Sequence, residues 1–355
     1  MDLTFKKTFF TSLLVIIASA TSWSQGDSLV KAKILDADST LADKHYNSGV
    51  DKLASKMFQG AIDDFTKAIE LKPKFEKAFY NRGVAKQELS DFTGAIADFD
   101  QSIAINDSPE SYFSRGMVKA AMGKPEEALA DYSLTIEKNP NHTKAYYYRG
   151  GVKFEQGDYQ AAIMDFDNAI RLKPDYAYAY NDRGSAKRQL EDYTGAANDY
   201  QKALNADNNL AFVHNNLGSA LRKKGDLKGA IQAYNKAIGL DTKNYVAYNN
   251  RGSARYDSGD FEGALADFSK AIELKADYAY AWNNRGSAKF KLKDYAGCID
   301  DCTKAIALDA NYGYAYLNRG NAKELLRDER GACEDWNRAV ELGADGARSH
   351  LSMCQ

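Results

Sequence analysis

Paired carboxamides recur in this chain at a fixed spacing. Asn215-Asn216, Asn249-Asn250 and Asn283-Asn284 follow one another at 34 residues, and Asn181-Asp182 precedes them in the same register. A serine trails each pair: Ser185, Ser219, Ser253 and Ser287. A bulky apolar residue leads it: Tyr178, Phe212, Val246 and Tyr280. A carboxamide donates and accepts hydrogen bonds at once, so a row of them suits a peptide backbone, which offers both groups. Asparagine is also a poor helix-interior residue, so its recurrence needs a reason. Two reasons fit: the amides grip a bound chain, or they brace a neighbouring helix.

A second recurring set carries charge. Arg82/Lys86, Arg115/Lys119, Arg149/Lys153, Arg183/Lys187, Arg251/Arg255, Arg285/Lys289 and Arg319/Lys323 each stand four residues apart, one helical turn. An aspartate follows each pair at a fixed distance: Asp98, Asp131, Asp165, Asp199, Asp267, Asp301 and Asp335. One copy loses all three charges together and has Leu217, Leu221 and Ala233. Joint loss implies that the aspartate meets the basic pair in a place with little water. The alternative is a solvated charged face. The first copy, with Ser48, Lys52 and Asp64, is intermediate.

Nothing else in the chain resembles a reactive centre. His45, His214 and His350 fall in a slot otherwise filled by aromatics, which makes them packing residues, and only His142 lies in a loop. No glycine-rich phosphate loop or nucleophile–base spacing occurs. Cys298, Cys302, Cys333 and Cys354 have no histidine at ligand spacing, so no metal is expected. The expectation is a protein with no catalysis and no cofactor. A net charge of −2, with Arg222-Lys223-Lys224 the longest basic run, argues against a nucleic-acid partner.

The elements that position these residues follow from a ruler of glycines. Gly49, Gly83, Gly116, Gly150, Gly184, Gly218, Gly252, Gly286 and Gly320 recur at 34 residues, once 33. Alanine, or Cys298, stands twelve residues after each. Aromatics stand four before most of them (Phe79, Tyr112, Tyr146, Tyr180, Tyr248, Trp282, Tyr316) and sixteen after (Phe65, Phe99, Tyr132, Phe166, Tyr200, Tyr234, Phe268, Trp336). Within one copy, Ala145 to Gly150 opens a helical period, Gly157-Asp158 breaks it, and Ala161 to Leu172 resumes it before Pro174. Each copy is therefore two helices and a tight turn. Glycine and alanine, placed opposite each other, would let the two helices approach closely.

This aromatic–glycine–alanine–aromatic pattern, with closing Pro73, Pro140 and Pro174, resembles the tetratricopeptide repeat (TPR) over roughly residues 42–344 in nine copies. The resemblance implies an all-α TPR solenoid of stacked helix pairs in a right-handed superhelix, with a concave groove that binds a peptide or protein. It also implies that the first helix of each pair lines the groove. The slots exposed there lie six, three and two residues before the glycine, one after it, and four or five after it. The implied peptide-binding residues are then Tyr178, Asn181, Ser185, Phe212, Asn215, Asn216, Ser219, Asn249, Asn250, Ser253, Tyr280, Asn283, Asn284 and Ser287. In the early copies the slot three before the glycine is aromatic (Tyr46, Tyr80, Phe113, Tyr147), so the groove is not uniform.

The two ends differ from the array. Lys6-Lys7, the apolar stretch Phe9 to Ala20 and the small residues after it have the order of a secretory signal peptide. Residues 1–24 are assigned to it and 25–41 to a linker. The apolar core is too short to span a bilayer, so stable membrane insertion after cleavage is not expected. Residues 345–355 are read as a capping helix over the last repeat, because a terminal repeat must cover a face with no next neighbour. That brings Cys354 near Cys333 and predicts a disulfide in an oxidising compartment. The sequence reading is an exported, periplasmic or secreted, scaffold that helps assemble an envelope or secreted complex. Its alternatives are a spacer that packs through its convex face and an accessory subunit of an enzyme complex.

Overall fold

The computed structural model describes residues 31, 33, 34 and 40–354. The signal-peptide segment 1–24 and most of the 25–41 linker lie outside the described residues. All regular structure among the described residues is helical. Two compact units divide the chain, Met1–Pro174 and Asp175–Gln355. The first holds repeats 1 to 4: Leu41–Ala54 with Phe58–Leu71, Glu76–Glu88 with Phe92–Ile105, Pro109–Ala121 with Pro125–Lys138, and Thr143–Glu155 with Tyr159–Leu172. The second holds repeats 5 to 9: Ala177–Gln189 with Tyr193–Ala206, Ala211–Lys224 with Leu227–Leu240, Tyr245–Asp257 with Phe261–Leu274, Ala279–Lys291 with Tyr295–Leu308, and Gly313–Leu325 with Glu329–Glu341. Within each unit, consecutive pairs stack as a solenoid.

Local chemistry fixes the turns. In repeat 4 Gly157 adopts a left-handed conformation at φ +83, and Asp158 then caps the second helix by accepting from the Ala161 N–H. The same cap recurs at Asp91, Asp192, Asp226, Asp260, Asp294 and Asp328. It satisfies a backbone donor that the helix start would otherwise leave open.

The recurring glycine makes room for a ring. A methyl group on Gly218 would stand 2.6 Å from Tyr234 Cε1, and one on Gly150 would stand 2.9 Å from Phe166 Cε1. The glycine therefore faces the side chain sixteen positions on, and in four repeats also the backbone of the residue at twelve: a methyl group on Gly184, Gly252, Gly286 or Gly320 would stand 3.1, 3.2, 3.3 or 3.2 Å from the carbonyl oxygen of Ala196, Ala264, Cys298 or Ala332. The alanine at twelve is fully buried on the second helix, at Ala61, Ala95, Ala162 and Ala230 among others.

The aromatic slots also divide differently from the sequence expectation. The residue three before the glycine, not four, packs on the ring of the second helix. Tyr46 meets Phe65 at 5.8 Å, Tyr80 meets Phe99 at 5.6 Å, and Tyr147 meets Phe166 at 5.9 Å between centroids. The residue four before the glycine is mostly half-buried and lies against its own arginine. Trp282 takes Arg285 at 4.8 Å, and Tyr180 takes Arg183 at 5.3 Å.

The charged sets are paired and buried. In repeat 4, Asp165 accepts from Arg149 Nε at 2.9 Å, from Arg149 Nη2 at 2.7 Å and from Lys153 Nζ at 2.7 Å. In repeat 7, Asp267 accepts from Arg251 at 2.9 and 2.6 Å and from Arg255 at 3.0 Å. The other five sets are built alike, around Asp98, Asp131, Asp199, Asp301 and Asp335. All seven aspartates are at most 3% exposed. In repeats 2, 3, 4, 7, 8 and 9 the remaining arm of the arginine reaches the second helix of the preceding repeat. Arg82 donates to Thr66 at 3.1 Å, Arg149 to Ser133 at 3.1 Å, and Arg285 to Ser269 at 3.3 Å. In repeat 1, burial pushes the Asp64 carboxyl up, but hydrogen bonds from Lys52, Ser48 and His45 outweigh it and hold the group below its ordinary range.

The cap is a 3-10 helix, Asp345–Met353, where an ordinary helix was expected. Ala347 is buried in it, and His350 stacks on Trp336 at 4.7 Å and 18°. A disulfide joins Cys333 to Cys354. Cys298 and Cys302 are free, buried thiols in the core of repeat 8.

The buried carboxylate yields a direct stability test. Asp165→Ala leaves two cations without a partner and is expected to cost about 3–5 kcal/mol. Replacing the whole set, Arg149→Leu with Lys153→Leu and Asp165→Ala, copies repeat 6 and should cost clearly less. Urea melts of the two variants decide the matter, and equal, negligible effects would make the set a solvated face.

Candidate functional site

In repeats 1 and 2 the slot two residues before the glycine holds main chain. Asn81 accepts from the Lys31 N–H at 2.8 Å and donates to the Lys31 carbonyl at 3.0 Å. Asn47 treats Ile34 the same way, accepting its N–H at 2.8 Å and donating to its carbonyl at 2.7 Å. Tyr46 adds a donor to the Lys31 carbonyl at 2.6 Å, and Asn81 also donates to the Tyr46 hydroxyl at 3.1 Å. Two amides on successive repeats thus hold the main chain of a segment that forms neither helix nor strand. Burial raises the Tyr46 phenol well above its ordinary pKa, so it stays a neutral donor.

In repeats 6 to 9 the same slot is tied to the preceding repeat. Asn216 donates to Asn181 Oδ1 at 3.0 Å, Asn250 to Asn215 at 3.0 Å, Asn284 to Asn249 at 3.0 Å, and Asn318 to Asn283 at 2.8 Å. The slot three before the glycine was expected to be exposed. It is not: Asn181, Asn249 and Asn283 are buried, because this slot faces the second helix and the next repeat. Asn215 is half-buried. These residues act as acceptors inside the array. Ser185 is likewise fully buried, and Ser219, Ser253 and Ser287 are half-buried. Each serine hydroxyl donates to the carbonyl four residues back on its own helix.

What the fold leaves accessible is narrower than the sequence list. Asn216, Asn250 and Asn284 are half-buried, with one amide hydrogen committed to the neighbouring repeat. Tyr178 and Phe212 are 42% and 41% exposed and stack at 6.1 Å with rings 25° apart. Tyr280 is half-buried against Tyr312 at 4.9 Å, and Tyr314 continues the row, 47% exposed. A cavity of about 160 Å³ opens among Tyr256, Ser287, Phe290, Lys291, Asn318 and Asn321. These lie in the slots two before, one after, and four or five after the glycine, the slots expected to line a groove.

Sequence reasoning missed Asn47, Asn81 and Asn318. Its ladder was confined to repeats with two adjacent amides, and the tyrosines beside Asn47 and Asn81 masked them. A tally of the single slot two before each glycine would have found all three. Among the described residues no group of three or more His, Cys, Asp or Glu is placed to hold a metal. No helix among them is long and apolar enough to cross a membrane.

Comparison with known proteins agrees with this architecture. A family model for the TPR repeat matches residues 150–190, 184–225, 218–259 and 252–293, and one for the tetratricopeptide repeat matches 279–312. The C-terminal part of a TPR repeat-containing protein from Cytophaga hutchinsonii is 17% identical, with 67% of this chain and 98% of that one covered and a TM-score of 0.57. A tetratricopeptide repeat protein from Parabacteroides merdae is 16% identical, with 70% and 98% covered and a TM-score of 0.51. At this identity both show the fold alone. YrrB, described as a TPR protein with an unusual peptide-binding site, is 23% identical, with 52% and 95% covered and a TM-score of 0.44. No curated protein matches the chain.

Bracing by the amides has a measurable cost. Replacing Asn216, Asn250 and Asn284 by alanine gains helix propensity but leaves a carbonyl oxygen on the preceding repeat without its donor. The net loss expected is about 1 kcal/mol per site. Asn205→Ala, at an exposed position paired only with Gln201, should be near neutral in the same denaturant melts.

Proposed function

We propose that this chain, a member of the tetratricopeptide-repeat family, is an interaction scaffold that holds extended polypeptide along the first helices of its repeats. The observation that carries this reading is the grip of Asn81 and Asn47 on the main chain of Lys31 and Ile34. Lys31 and Ile34 are three residues apart. Near-extended chain covers about 10 Å in three residues, which matches one helix-packing step of about 8–10 Å between repeats. A row of such amides therefore contacts every third residue of a bound strand.

The second unit repeats the chemistry. One hydrogen of the Asn216 and Asn250 amides goes to the preceding repeat. Each retains the donor and acceptor that Asn81 uses on Lys31. Beside them run Tyr178, Phe212, Tyr280 and Tyr314, which supply apolar contact and some sequence preference. Main-chain contacts tolerate many sequences, so affinity for any one peptide is modest. The charged–apolar–small order of residues 1–24 supports an exported protein acting in the assembly of an envelope or secreted complex.

Selection of peptides from a random library on the purified protein tests the reading. Enriched peptides should show a preference recurring every third residue. Tyr178→Ala with Phe212→Ala, at exposed positions, should weaken the best of them about tenfold, roughly 1.4 kcal/mol, without shifting the melt. Asn250→Ala should weaken them further at a temperature where circular dichroism shows the protein folded. A spacer that packs through its other face would enrich nothing, and these substitutions would leave its assembly untouched.

A further inference from the structure

The segment held by repeats 1 and 2 belongs to the chain itself, and its side chains are recognised as well as its backbone. The Lys31 ammonium lies 3.0 Å from Glu76 Oε1, with both side chains largely covered at 18% and 11% exposure. The same ammonium stands over the Tyr80 ring, 5.0 Å from its centroid. A carboxylate and an aromatic face together make a pocket for a cation on a long stem. Ile34 packs against the apolar cluster that contains Tyr46, Leu53 and Phe65. Lys33 meets Asp51 at 2.6 Å, but this pair is open to water and adds little.

We infer that repeats 1 and 2 form a strand site selective for a lysine followed three residues later by an aliphatic residue. In this chain the site is filled in cis by Lys31 to Ile34. A partner strand of the same chemistry must displace the chain's own segment to bind. This rests on the reading that the amides grip main chain, and it adds side-chain selectivity and an internal competitor.

The competition is strong by construction. Only residues 35–40 separate Ile34 from the first helix at Leu41. A tether that short gives the segment an effective concentration on the order of millimolar. A peptide of micromolar affinity offered in trans is therefore masked in the parent protein. It becomes visible once the cis segment is weakened.

The test uses a fluorescent peptide with the sequence of residues 28–37, titrated against the full chain by anisotropy. Lys31→Glu in the protein sets a carboxylate against Glu76 and should eject the segment. Peptide affinity should then rise at least about tenfold over the parent. Binding to that variant should fall about tenfold when the first of the peptide's two lysines, the one matching Lys31, is replaced by methionine, as expected for loss of a covered charge pair. Adding Glu76→Lys to the variant restores an opposite-charge pair between residues 31 and 76, so the cis segment should dock again and peptide affinity should fall back toward that of the parent. This arm keeps the test decisive even if Glu76 substitution loosens its contact with Ser102.

Equal affinity for parent and Lys31→Glu proteins overturns the internal competitor. Indifference to the peptide's lysine overturns the selectivity. Adding Asn81→Ala separates the underlying premise. If selectivity holds but Asn81→Ala has no effect, the main-chain grip fails while the lysine pocket stands. If Asn81→Ala abolishes binding and the lysine is irrelevant, the grip stands and the pocket fails.

Discussion

One buried carboxylate per repeat organises this array. In seven of the nine repeats an aspartate at most 3% exposed is held by a bidentate arginine and a second cation from the first helix of its own pair. The fork geometry leaves the guanidinium one direction to point, and in six of the seven its remaining arm meets the second helix of the preceding repeat. The ring four residues before the glycine stacks against it. A single arginine thereby fixes three relationships: helix to helix within a pair, pair to preceding pair, and the rotation of the first helix about its axis. That rotation decides which slots are buried and which stay accessible.

The amide chemistry follows from this placement. With the first helix so oriented, the slot three before the glycine turns inward and the slot two before it turns toward the adjacent repeat and the surface. A primary amide has two hydrogens. Asn81 gives one to the Tyr46 hydroxyl and one to the Lys31 carbonyl, while its oxygen accepts the Lys31 N–H. Asn216 gives one to Asn181. Bracing and gripping are therefore not rivals, because the same side chain does the first with one hydrogen and the second with what is left. The neighbour also holds the amide in a fixed rotamer, so a bound strand loses less in ordering it.

Much of the fold was legible because spacing is a geometric statement. The glycine ruler, the paired helices and the charge sets all rest on period, and period survives without knowledge of packing. What spacing could not resolve was rotation by a single position. Slots three and four before the glycine differ by about 100° around a helix, and both are aromatic in repeats 2 to 4, so the sequence did not say which one faces the second helix. The same ambiguity led to Asn181, Asn249 and Asn283 being read as exposed when they are acceptors inside the array. Asn47 and Asn81 were hidden for a related reason. Their role depends on a segment more than ten residues from either, and no local pattern links them. The cap differed in helix type because its nine residues settle onto Trp336 through His350 and are tied by Cys354 just beyond them, which fixes points of contact and not a pitch.

Repeat 6 shows what the charges are for. It replaces the set with Leu217, Leu221 and Ala233, yet keeps the glycine facing Tyr234 and the hydrogen bond that the Asn216 amide donates to Asn181 Oδ1. The pair therefore folds, and stacks on repeat 5, without the ions. Buried ion sets often contribute less net stability than well-packed apolar residues of similar volume, while requiring a far narrower geometry. An array stabilised only by apolar contact would tolerate small rotations between neighbours, and each rotation would move the amides off the spacing that three residues of extended chain can match. The arginine–aspartate sets remove that freedom in the other repeats. On the proposed function the charge sets would therefore act on binding from a distance, by keeping successive amides in register with a strand.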